Sequence, residues 1–82
     1  MIPKRPLLLV TWLDHQGSSG WKDLPDLEEL KAPEATTLGW LVHEDNERIV
    51  LCSSLVDESE WGSYDMIIKS CVTSRQEYEL HE

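Results

Sequence analysis

Phenylalanine is absent from this 82-residue chain, and cations are scarce: seven Lys and Arg stand against sixteen Asp and Glu, a formal net charge of −9. A chain this poor in basic side chains is badly suited to neutralising a phosphate backbone, which argues against direct binding to nucleic-acid backbone. Long hydrophobic runs are missing too. The longest near the N-terminus, Leu7 to Val10, is far shorter than a signal h-region or a membrane span. Cysteine is limited to Cys52 and Cys71, without paired spacing, so the expectation is a cytosolic protein with two reduced, partly buried thiols. With four glycines, and no Lys-Ser or Lys-Thr after Gly17 or Gly20, the chain carries no phosphate-binding loop.

What is present suits one small domain. Eighty-two residues with 40% hydrophobic content can fold on one core, hiding roughly 60–65% of the unfolded surface, with little room left for a deep active-site cavity. The two-proline stretch 1–6 reads as a loose lead-in, and residues 7–82 as the domain.

The longest structural signal is Thr36 to Val56, two apolar strands joined by the acidic turn Glu44-Asp45-Asn46-Glu47. Asn46 is expected to take the left-handed conformation that tight hairpins use. Gly39 inside the first strand marks a bulge, a bend or a close backbone approach. Before this hairpin, Leu7 to Asp14 reads as a strand with both faces apolar. The polar loop from His15 to Gly20 follows, and then a short helical turn over Asp23 to Lys31. Pro25 and acidic residues open that turn and Pro33 stops it. It is too short to stand alone, and Leu24, Leu27 and Leu30 are spaced to dock it on the body. After the charged turn at Asp57 to Gly62, strands are expected over Ser63 to Lys69 and Thr73 to Leu80, with a break at Ser70 and Cys71.

Five strands in so small a body leave edges that curling would protect. The fold expected is therefore mainly β: a small five-stranded SH3-like or Sm-like barrel, with one short helical turn after the first strand.

Three pieces read together carry a resemblance. They are Val10-Thr11-Trp12-Leu13-Asp14-His15 running on to Gly20-Trp21; Leu38-Gly39-Trp40-Leu41-Val42-His43-Glu44-Asp45; and Met66-Ile67-Ile68-Lys69 leading to Val72. This pattern resembles a group of short, mostly uncharacterised proteins of tailed phages and prophages, over nearly the whole chain after residue 6. Where that group often carries a proline after its Ile-Ile strand, this chain has Lys69. The resemblance implies an accessory protein acting in the cytoplasm of the infected bacterium, and it implies no reaction.

The residues themselves offer no catalytic set. Asp14, His15, Ser18 and Ser19 share one loop, but chain neighbours do not reproduce a triad and no nucleophile elbow is present. Nor are His15, His43, His81, Cys52 and Cys71 spaced as metal ligands. The expectation is a protein that is not an enzyme and carries no cofactor and no metal. Four Trp are the informative oddity: Trp12 and Trp40 fall in strands as core or half-core residues, while Trp21 and Trp61 lie beside loops, where a ring can anchor an interface.

Two binding functions fit. In the first, an acidic surface (Glu44, Asp45 and Glu47 on the turn; Asp57, Glu58 and Glu60 on the next loop) and Trp anchors engage a basic host protein, inhibiting or adapting it for host takeover or anti-defence. In the second, the protein traps a small nucleotide immune signal, stacking its base on Trp12, Trp21 or Trp61 while His15, Ser18, Ser19 or Arg48 reach polar groups. An anionic ligand would need extra cations, which a homo-oligomer could supply.

Overall fold

The computed structural model describes residues 2–15, 19–57 and 59–81. Its elements run β1 (Leu7–Leu13), α1 (Leu24–Glu28), β2 (Glu34–Glu44), β3 (Arg48–Leu55), β4 (Trp61–Ile68), a 3-10 turn (Lys69–Cys71) and β5 (Val72–Tyr78). The chain is mainly β, with one five-stranded sheet in the order β4-β3-β2-β1-β5. Every neighbouring pair is antiparallel. The ladder is open: β4 and β5 are its two edges. Among the described residues no helix is long and apolar enough to cross a membrane.

Register decides which of two apolar faces becomes the core. Leu8, Val10, Ile49, Leu51 and Ile67 are buried together, with Trp12, Leu41 and Val72 packed against them. Each fully buried aliphatic side chain contributes about 1.5–3 kcal/mol by leaving water, so any one is a large share of a small domain's stability. On β2 it is Gly39 and Leu41 that face this core; Trp40, one position out of phase, is half-buried on the opposite face.

The sheet curls where its registers slip. An extra residue between Leu41 and His43 on β2, and a shift between Thr11 and Trp12 on β1, are bulges that add bend and twist. The curl brings Arg75 of β5 onto Glu44 of β2, at 2.8 and 3.3 Å, although β1 lies between those strands in the sheet. The lead-in is tied to β2, where the Leu41 N–H donates to the Pro6 carbonyl at 2.8 Å.

Two local expectations need correction. Asn46 is not left-handed: Ser63, with φ 54°, is the one non-glycine residue with positive φ among the described residues. The turn is closed instead by the Asp45 side chain, which does the work a left-handed residue would otherwise do. The helical turn is also shorter than read. It ends at Glu28, before Lys31, and its leucines do not dock: Leu24, Leu27 and Leu30 are all about half exposed or more.

Candidate functional site

The acidic tip between β2 and β3 is a turn that bonds to itself. Asp45 Oδ1 accepts the N–H groups of Glu47 at 2.9 Å and Arg48 at 3.0 Å. Its Oδ2 meets His43 Nε2 at 2.9 Å and accepts from Arg48 Nε at 3.1 Å. Those contacts, the His43 one first, hold the Asp45 carboxyl well below the ordinary carboxylate range. Glu44 is bound by Arg75 and by Lys69, whose Nζ lies 2.7 Å from Oε2, and the two lower its pKa to about 2. Both carboxylates, and Arg48 with them, are therefore engaged inside the molecule. Asp57 repeats the pattern in the next loop, accepting from Ser59 N–H and Oγ, each at 2.7 Å. Its pKa is lowered for that reason.

The tip and the loop do not form one acidic surface. They cap opposite ends of β3, about 25 Å apart at the rise of an extended strand. Consecutive turns of an antiparallel meander always alternate ends. Glu47 and Glu60 are exposed, but at those two separate ends, and Glu58 lies outside the described residues.

The three rings considered for base stacking stand on three different parts of the chain. Trp12 packs against the core, and its Nε1 donates to Thr37 Oγ1 at 3.0 Å. Trp61, at the start of β4, has the Arg5 guanidinium 5.6 Å from its ring centre. Trp21 is wholly exposed on the arm between β1 and β2. Of the loop residues, Ser19 is exposed, while Ser18 lies outside the described residues. His15 Nε2 sits 3.9 Å from Cys71 Sγ, a proximity hidden in the sequence by 56 intervening positions. Cys52, by contrast, is buried, and burial pushes its thiol pKa up.

What the sequence reading missed is a shallow cleft of about 280 Å³ where the lead-in meets the C-terminal segment. Lys4, Arg5 and His81 line it beside Trp40 and Tyr78, with Glu77 and Glu79 opposing them. Its walls come from the two ends of the chain, so no local motif announces it. Among the described residues, none of those read as stacking rings or loop ligands lines it.

The most conspicuous candidate for contact is the arm. The β1–β2 ribbon is pinned at its far end, where the Asp14 N–H donates to the Pro33 carbonyl at 2.9 Å. Beyond that bond Trp21, Leu24, Leu27 and Leu30 all stay exposed. A five-residue helix cannot hold itself together in water, and these side chains are what a second surface would cover. Comparison with family models, with curated proteins and with solved structures gave no match.

Proposed function

We propose that this is a non-enzymatic accessory protein of tailed phages. It acts in the cytoplasm of the infected bacterium, where it binds a basic host protein and inhibits or adapts it. The observation that carries this reading is the arm: a fully exposed Trp21 with Leu24, Leu27 and Leu30 around a single helical turn, left uncovered by the body. Large rings and leucines of this kind are typical interface anchors. Exposed Asp23, Glu28 and Glu29 surround them, so a cationic rim on the partner complements the arm.

The same reading takes the curled sheet as an SH3-like barrel. Its support is the antiparallel order β4-β3-β2-β1-β5, the 3-10 turn before β5, and the Arg75–Glu44 bridge across the curl.

Capture from bacterial lysate tests the function. Immobilised protein should retain a partner at low salt and release it as salt rises, because the rim contacts are charged. Trp21→Ala should weaken retention at least about tenfold, the usual effect of removing a hot-spot ring. Equal retention by the variant, or no retained partner at low salt, would refute the arm's role.

A further inference from the structure

We propose that residues 2–6 are a releasable strap: they cover one strip of the sheet on the side opposite the core, and they lift from it while the five strands stay folded. A contrast in exposure along one row is what points to a strap. Residues paired across an antiparallel ladder share a face, and Trp40, Cys52 and Tyr64 are paired in turn across β2, β3 and β4. Cys52 is 1% exposed, while Tyr64 beside it is 71% exposed. Leu38, which shares the face of Trp40 on β2, is 56% exposed. A second layer packed on the sheet would bury all of them. A cover as narrow as one stretch of chain buries only the middle.

That stretch is the lead-in. Residues 2–6 border the cleft together with Trp40, and the Arg5 guanidinium stands 5.6 Å from the ring centre of Trp61 on β4. Burial pushes the Cys52 thiol pKa up, while a backbone hydrogen bond from Ser54 and the charge of Arg5 act against that rise. Arg5 therefore lies near the sulfur as well as the ring.

The strap's fastening is separable from the sheet. Residues 2–6 belong to no strand, and Pro3 and Pro6 have no N–H to give to a ladder. The Leu41 N–H ties the root of the strap through the Pro6 carbonyl. Beyond that root Arg5 reaches Trp61, which is 44% exposed, and a cation–ring contact open to solvent is weak. Such a segment opens more readily than the strands beneath it, which Leu8, Val10, Ile49, Leu51 and Ile67 hold together from the other face. Lifting it uncovers Cys52 and Trp40 next to the already exposed Tyr64 and Leu38, so the open form presents a wider apolar strip than the closed one. The strap sets how often that strip is presented.

Cys52 is the reporter, since a buried thiol meets a reagent only when it is uncovered. The full chain carrying Cys71→Ser keeps Cys52 as its single thiol. Its reaction with dithiobis(nitrobenzoate) is followed against urea, with the reagent dilute enough that reclosing outruns reaction. The rate should rise with urea at no more than about a third of the slope of global unfolding, because lifting the strap exposes little surface. Arg5→Ala should speed the reaction at least about tenfold without a matching fall in the urea midpoint. Trp61→Leu, which takes the ring away from Arg5, should do the same. Trp21→Ala should leave the rate unchanged, so the strap and the arm's host partner fail separately. A rate that follows the full unfolding slope overturns the proposal. So does one that neither Arg5→Ala nor Trp61→Leu raises, one that they raise only as far as they lower global stability, or one that Trp21→Ala raises equally.

Discussion

An ideal Cβ on Gly39 would stand 2.8 Å from the Cys52 carbonyl oxygen and 3.1 Å from Leu51 Cβ. Both neighbours belong to the central strand β3, one through its backbone, so neither swings away cheaply. Gly39→Ala should therefore cost about 1–3 kcal/mol, read as a lower urea midpoint with an unchanged slope. The sequence reads that glycine as a bulge, a bend or a close backbone approach, and the contact with β3 makes it the last of these. Its neighbour Trp40 was less legible. Trp40 and Gly39 differ by one position, and a one-residue difference in phase is the whole difference between core and opposite face. Ser63 escaped notice altogether. Its positive φ sits between the paired positions Gly62 and Tyr64, and only the path of the edge strand puts it there.

Among the elements, the clip at the end of β2 makes the clearest prediction. Glu44 holds Lys69 of the 3-10 turn and Arg75 of β5, tying three separate pieces of chain. Its pKa falls from the ordinary value of 4.5 to about 2, first through the Arg75 hydrogen bond and next through that of Lys69. A depressed carboxyl pKa adds stability that is complete above the unfolded value and is lost as pH falls through the folded one. The Glu44 contribution should thus be whole at neutral pH and fade between 4.5 and about 2. Because solvent reaches all three side chains, the effect should be about 1 kcal/mol. Denaturation of Glu44→Gln across that window should show a flatter profile than the parent; parallel profiles would mean the clip does not hold the curl.

Helix α1 teaches the converse. Its leucine spacing was read as a docking stripe, and the spacing is real, but the arm carrying it does not fold back on the sheet. Amphipathic patterning says that a surface is to be covered and is silent about whose surface covers it.

At the scale of the whole molecule, the arm shows in the shape. The radius of gyration is 16.2 Å, against about 12 Å for a compact chain of this length, and the extents are 53 × 24 × 22 Å. Since Trp21, Leu24, Leu27 and Leu30 gain little cover from the body, replacing residues 15–32 by a tight turn should change stability by no more than about 1 kcal/mol. Thermal melting checks this, with the asserted partner binding lost and the fold kept. A variant that melts far below the parent would show that the arm supports the core.

The sequence by itself determined that this chain is acidic, built mostly of strands, and punctuated near 14–33, 45–47 and 57–60. Each of those features depends on residues adjacent in the chain, where alternation, turn chemistry and propensity act. The tertiary structure alone decided which apolar face of β1 and β2 meets the core, because both faces of β1 are apolar and pairing with distant strands breaks the tie. It alone separated the acidic tip from the charged loop by the length of β3, and joined Glu44 to Arg75 and His15 to Cys71. These are contacts between segments far apart in sequence. They follow from register and curl, which no local stretch of residues encodes.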